Sequence, residues 1–260
     1  MKIKQIVMKM IGYNQKSERM SVNNLELIGK NWESLAQYDP MWAILSDPKK
    51  KGNKWDINDF LMTGEREIGD LISYFGNSLK RKGDRLVALD FGCGMGRLSL
   101  ALAQYYEEVI GIDISETMIN LANQILDGHS SSLKGRVTYR LNNSNSIPIE
   151  DNKCDLIYSN IVLQHMNIDD ALFYITEFVR VLKRDGLAVF QAPSRCLTER
   201  GSLFKTPIAD CDEGVTIDMN LIPRKSVIKA VNHAGGKVIE IQRDYSAGPK
   251  FESYKYFVSK

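Results

Sequence analysis

Val87-Ala-Leu-Asp-Phe-Gly-Cys-Gly-Met-Gly-Arg97, followed by Val109-Ile-Gly-Ile-Asp113, decides how this chain folds. An apolar run that enters closely spaced glycines reads as a buried strand, a tight turn and a helix, with a second strand after it. Gly92, Gly94 and Gly96 open the backbone at alternate positions, where a Cβ would otherwise block a ligand. A dinucleotide fingerprint, G-x-G-x-x-G, would place its third glycine at position 97, which is Arg. Asp90 stands two residues before the first glycine, at the carboxyl end of the strand. It would repel a pyrophosphate docking at the helix N-terminus and attract an ammonium or a sulfonium. Asp113 lies twenty-one residues after Gly92, where the next strand ends, and a carboxylate there accepts hydrogen bonds from both hydroxyls of a ribose. A glycine turn alone reports only a tight reversal, and Asp90 alone reads equally as a cap or an ion-pair partner. The two acids around one turn point to an adenosine-bearing, cationic cofactor.

Four stretches in order resemble the class I S-adenosylmethionine-dependent methyltransferases. Ala88-Leu-Asp-Phe-Gly-Cys-Gly-Met-Gly96 is similar to that family's first motif and Gly111-Ile-Asp-Ile114 to its second. Ser146-Ile-Pro-Ile-Glu-Asp-Asn-Lys-Cys-Asp-Leu-Ile-Tyr-Ser-Asn160 resembles the segment leading into the fourth strand. Arg180-Val-Leu-Lys-Arg-Asp-Gly-Leu-Ala-Val-Phe190 resembles the helix, turn and fifth strand. The resemblance is close over residues 85–193. It implies a Rossmann-like, doubly wound, seven-stranded α/β sheet, mostly parallel, with an antiparallel strand at the C-terminal edge, and S-adenosyl-L-methionine as cofactor.

The hydrophobic pattern supports that architecture. Strands are expected at 86–91, 108–112, 136–141, 154–159 and 186–192, and helices near 97–106, 115–127, 168–184 and 223–233. Such alternation implies a parallel sheet covered on both faces, with ligands at the carboxyl ends of the strands. Lys237–Gln242 and Tyr254–Ser259 read as two further strands, which the resemblance makes an antiparallel pair. Upstream, a helix is expected over 23–35. A second starts after Asp56 as N-cap, with an apolar stripe from Ile57 to Leu79. Gly64 falls on that stripe and predicts close approach, either by a packing helix or by a lid over the cofactor. Residues 1–82 are expected to cap a core domain of residues 83–260, which carries an insert at 194–220.

Composition narrows the partners. The chain has 260 residues, 43% hydrophobic and 25% charged, with a formal net charge of +2. These are ordinary globular values, and the small net charge gives no electrostatic case for nucleic acid. The basic run Lys49-Lys-Lys-Gly-Asn-Lys54 reads as a solvated loop. Four cysteines without a C-x-x-C pair argue against zinc and a disulfide framework and fit a reducing cytoplasm. Lys9 breaks the apolar run at the N-terminus, so no signal peptide or membrane span is expected. The expected partner is a small-molecule acceptor, at a site without a metal.

The donor-side residues are thus Asp90, Gly92, Cys93, Gly94, Gly96, Asp113 and Ile114, with Cys93 a small side chain in the turn and not a nucleophile. In the family an acidic residue commonly lies five positions before the proline after the third strand. Here that position is Asn143, followed by Ser144, and an Asn carbonyl can accept from the adenine amine. Ser159-Asn-Ile-Val162 lacks the Asn/Asp-Pro-Pro-aromatic motif of enzymes that methylate nucleic-acid bases. Asn160 is expected at the methionine end or the acceptor. His165 is the candidate catalytic base, because imidazole titrates near neutral pH; its competing reading is an orienting or core histidine. Rival readings of the whole chain are a nicotinamide-dependent oxidoreductase and a cofactor-binding protein without catalysis.

Overall fold

The strand that enters the glycine turn lies in the middle of the sheet. In the computed structural model, which describes residues 15–75, 86–197, 205–210 and 216–260, β1 (Val87–Phe91) is buried along its whole length. Its continuous apolar run fits a strand covered on both faces. It pairs in parallel with β2 (Glu108–Asp113) and with β4 (Cys154–Ser159), and β2 pairs in parallel with β3 (Val137–Leu141). β5 (Leu182–Cys196) and β8 (Lys237–Asp244) each pair antiparallel with β9 (Phe251–Ser259). The seven strands run in the order β3-β2-β1-β4-β5-β9-β8, the seven-stranded sheet with antiparallel pairing toward its C-terminal edge that the resemblance implies. β6 (Lys205–Asp210) and β7 (Thr216–Asn220) form a separate antiparallel pair.

The helices are α1 (Gln15–Tyr38), α2 (Pro40–Ile44), α3 (Ile57–Phe75), α4 (Arg97–Leu102), α5 (Glu116–His129), α6 (Ile168–Val181) and α7 (Arg224–His233). The chain divides into two units. One holds Lys30–Asn142 and Lys153–Ser159; the other holds the described part of Met1–Gly29, Asn143–Asn152 and Asn160–Lys260.

The first unit is built on capping and close packing. Asp56 starts α3 as the sequence predicts, accepting from the backbone N–H of Asn58 and Asp59 at 2.9 and 3.1 Å. Buried Asp39 organises the segment before it, accepting from the N–H groups of Gly52 and Asn53 at 2.6 and 2.9 Å. The lysine run is less solvated than expected, because its stems have aromatic faces to cover. Lys50 lies 5.0 Å over the Trp55 ring and Lys51 5.2 Å over the Trp42 ring. Gly64 answers one of the open questions. A Cβ there would stand 2.3 Å from the Arg97 carbonyl oxygen, so the close approach is that of α3 to the start of α4.

The second unit packs α6 and aromatic rings on β5 and β9. Phe190 stacks on Tyr256 at 5.4 Å and meets Phe178 at 5.7 Å. Arg180, on α6, holds the loop that precedes β4, donating to the Ile147 and Ile149 carbonyls, each at 2.9 Å, and to Glu177 and Asp151. Three expectations need correction. The helix from residue 97 stops at Leu102, where the chain turns toward β2, and the one from 168 stops at Val181. β5 runs on to Cys196, drawn out by its pairing with β9. The described parts of the 194–220 insert are the end of β5 and the β6–β7 hairpin. Met219 and Leu221 at its exit are buried with Cys196 and Phe251.

Two glycines of α3 are expected to respond in opposite directions. Gly64→Ala forces Cβ into the Arg97 backbone and should lose about 1–3 kcal/mol. Gly69, whose added Cβ meets nothing within 4 Å, should gain about 0.5–1 kcal/mol on replacement by Ala. Urea denaturation of the two variants checks both signs.

Candidate functional site

All three glycines of the turn adopt left-handed backbone, with φ of 77°, 52° and 84° at Gly92, Gly94 and Gly96. They are therefore required by backbone conformation as well as by access. The turn is tied to the end of β2, since the N–H groups of Gly92 and Cys93 donate to the Ile112 carbonyl at 2.8 and 3.0 Å. Asp113 completes the tie. One carboxylate oxygen accepts from Gly94 N–H at 2.8 Å and the other from Ser115 N–H at 3.0 Å. Burial, opposed by these N–H donors, holds its carboxyl above the usual carboxylate range. Half-buried Ile114 follows it. Ile44, from α2, lies over Gly94: a Cβ there would stand 2.6 Å from its δ-carbon.

Asp90 is fully buried. One oxygen accepts from Ser99 Oγ at 2.6 Å, and the other, Oδ1, has no hydrogen-bond partner. A buried carboxylate oxygen without a donor is costly unless something else supplies one. Burial pushes the Asp90 carboxyl up to about 7; the Ser99 hydrogen bond and the Arg97 charge pull it down, while Glu67 and Asp113 push it up. A cationic ligand end would supply the missing donor, so these residues fit the cofactor read from the sequence. Burial also pushes the Cys93 thiol well up, which keeps it protonated and matches its role as a small side chain.

Arg97 takes no part in the open face of the turn. Its guanidinium is buried and donates to Glu67 at 3.0 Å and to Thr63 Oγ at 3.3 Å, both on α3. Glu67 accepts in addition from the Tyr158 hydroxyl at 2.8 Å. The charge where a dinucleotide fold would carry its third glycine is thus neutralised by α3.

Glu33, on α1, escaped the sequence reading. Its carboxylate accepts from Ser115 Oγ at 2.7 Å, from Thr117 N–H at 3.1 Å and from the Thr117 hydroxyl. It thereby caps the helix that follows Asp113, beside Ser115, which caps the same helix by accepting from Met118 N–H. Burial pushes Glu33 up, but these three donors and Gln37 Nε2, at 3.1 Å, prevail and hold the carboxyl below its ordinary value. No local signal marks it, because a capping carboxylate is sought three residues after the N-cap, and that position is Met118.

The remaining expected residues belong to the other unit. Asn143 and Ser144 are exposed in the loop after β3. The Ser144 carbonyl accepts from the Tyr174 hydroxyl at 2.8 Å, and its Oγ donates to the Ser146 carbonyl at 2.9 Å. Asn160 is half-buried just past β4, its Nδ2 3.5 Å from Ser246 Oγ. His165 ends a short 3₁₀ turn, Leu163–His165, and its Nε2 lies 3.1 Å from Gln164 Nε2. Among the described residues, no group of three or more His, Cys, Asp or Glu side chains is arranged to hold a metal ion. Also among them, no helix is long and apolar enough to cross a membrane.

Comparison with known proteins places the turn and the strands around it. Residues 89–190 match the model of a family described as "Methyltransferase domain". A demethylmenaquinone methyltransferase of Lactiplantibacillus plantarum is 37% identical over 98 residues, which cover 36% of this chain and 40% of that protein. The chain spans about two-fifths of the length of the curated relatives it matches. An S-adenosylmethionine-dependent methyltransferase structure from Methanosarcina mazei superposes with a TM-score of 0.58 at 20% identity, covering 68% of this chain and 94% of that one. Magnesium protoporphyrin IX methyltransferase from Synechocystis, solved with S-adenosylhomocysteine, gives 0.56 at 17% identity and covers 77% and 85%.

The Asp90 carboxyl couples stability to pH. Between its ordinary value of 3.8 and about 7, the folded protein keeps a proton that the unfolded chain has released. Ligand-free protein should therefore lose stability as pH rises through this window, by at most about 4 kcal/mol, and lose no more from this group above it. Asp90→Asn should lack that part of the slope, so its advantage over the native protein should grow from pH 4 to pH 7. Urea denaturation across this range measures it, and a constant difference would show Asp90 ionised throughout. The glycine turn and the strand order agree with these matches: residues 89–190 are similar to a methyltransferase domain, and the chain shares the fold of solved S-adenosylmethionine-dependent methyltransferases.

Proposed function

We propose that this protein transfers a methyl group from S-adenosyl-L-methionine to an oxygen or nitrogen of a small molecule such as a sugar or secondary metabolite, in the cytoplasm. The observation that carries the reading is the pairing of Asp90, a buried carboxylate with one oxygen unpartnered, with Asp113 across a left-handed glycine turn. Bound S-adenosylmethionine supplies an activated methyl and its own leaving group. The residues of this chain have to bind, align and exclude water.

In this reading Asp113 takes the ribose hydroxyls on its remaining lone pairs, and Ile114 lies against the adenine. Gly92, Cys93, Gly94 and Gly96 give backbone access, and Asp90 faces the cationic methionine end. Asn143 and Ser144 are assigned to the adenine edge and Asn160 to the methionine moiety or acceptor. His165 is assigned to the acceptor side, since it follows the carboxyl end of β4. The missing Pro-Pro motif after Ser159 supports a small acceptor over a nucleic-acid base. The residues 1–82 would serve as a cap, consistent with Ile44 over Gly94.

The nicotinamide alternative is disfavoured by the buried Arg97–Glu67 pair, which leaves no cation on the turn for a pyrophosphate. Calorimetry with S-adenosylhomocysteine should give saturable binding, whereas preferential binding of NAD would reverse the assignment. Asp113→Ala should weaken binding by about ten- to a hundredfold, the value of hydrogen bonds to a charged group; unchanged affinity would remove the ribose assignment. His165→Ala should keep cofactor affinity and lose turnover against an acceptor found by screening for S-adenosylhomocysteine release. Cofactor binding with no transfer to any acceptor would favour a non-catalytic role.

A further inference from the structure

A buried polar relay runs through the second unit and ends on His165. Gln191, in the middle of β5, is fully buried and satisfied at every carboxamide position. Its Oε1 accepts from Ile161 N–H at 3.2 Å, and its Nε2 donates to Gln164 Oε1 at 3.1 Å and to Ser253 Oγ at 2.6 Å. Ser253 Oγ in turn donates to Asp244 at 3.5 Å. The segment held this way is strained. Ile161 has φ of 60°, a region that a β-branched side chain occupies at a cost, and such strain persists only where its surroundings enforce it.

The polarity of the relay is fixed at both ends. A backbone N–H can only donate, so Gln191 must turn its oxygen to Ile161. Ser253 gives its proton to the Asp244 carboxyl and receives one from Gln191. Gln191 Nε2 then faces Gln164, which must answer with its oxygen. That leaves the Gln164 amide N–H₂ against His165 Nε2, at 3.1 Å. A donor requires an acceptor, so Nε2 carries the lone pair and the ring proton lies on Nδ1.

We propose that Gln191 and Gln164 are positioning residues that hold His165 in the neutral Nδ1–H tautomer. His165 thus serves the acceptor side as an oriented hydrogen-bonding ring, since a proton on Nε2 would set N–H against N–H. The relay stands on these contacts alone; its place at the acceptor side rests on the methyltransferase reading.

The chain has three histidines, so ¹⁵N NMR of histidine-labelled protein resolves the tautomer, with His129→Gln and His233→Gln for assignment. Native protein should show His165 as Nδ1–H. Gln164→Glu puts an acceptor against Nε2, and should switch the ring to Nε2–H and raise its titration midpoint by about one pH unit or more. Should that variant fold poorly, Gln164→Met removes the donor and should shift the ring toward Nε2–H. An Nε2–H ring in native protein, or the same tautomer in native and substituted proteins, overturns the proposal. An Nδ1–H ring in a protein that binds no S-adenosylhomocysteine would refute the methyltransferase reading and support the relay.

Discussion

The carboxylate of Asp113 holds the glycine turn and the start of α5 together, and the packing around both depends on it. One oxygen fixes the glycine turn through Gly94, and the other fixes the start of α5 through Ser115. Two backbone segments that diverge from neighbouring strands are thus held at one point. Both hydrogen bonds are charge-assisted, and so stronger than ordinary amide pairs. Ser115 then passes the constraint outward to Glu33, so α1 is anchored to the same strand end. A carboxylate that holds its own surroundings rigid is also prepared to hold a ligand, because no ordering remains to be done when the ligand arrives.

Much of this was legible in the sequence, for identifiable reasons. The strand–turn–helix at 87–102 is set by a local apolar run and by glycines that only left-handed backbone explains. The seven-stranded, mostly parallel sheet followed from the alternation of elements and from the resemblance to a known family, but its strand order did not. Asp90 and Asp113 were readable because each stands at a fixed offset from the turn. Glu33, Glu67 and Tyr139 were not, since each acts through a partner distant in sequence and none carries a local pattern. The strands at 205–210 and 216–220 were read as part of an irregular insert because they are short and Pro207 stands inside the first.

Two kinds of polar group divide the protein's work. Glu67, Arg180 and Gln191 each meet several partners and fix one conformation, as satisfied networks do. Asp90 differs from these three, a carboxylate with one oxygen left over in an apolar strand. Its elevated proton affinity is the consequence of that isolation, and it is the same isolation that gives a cation something to neutralise. In the proposed reading, stability and ligand recognition therefore draw on the same atom in opposite senses.

Tyr139 carries a consequence for how this sequence can drift. Its side chain fills the space of two missing ones, the hydroxyl standing 2.1 Å from a Cβ at Gly96 and the ring 2.6 Å from one at Gly111. Those glycines are not equally bound to their identity. Gly111 lies in ordinary strand backbone, so a smaller residue at 139 would remove the main obstacle to Ala there, leaving Ser99 Oγ, at 3.0 Å, to give by a few tenths of an ångström. Gly96 has φ of 84° and would stay strained after any such change. One glycine of the pair is thus negotiable through a compensating neighbour, and the other is fixed by its own backbone.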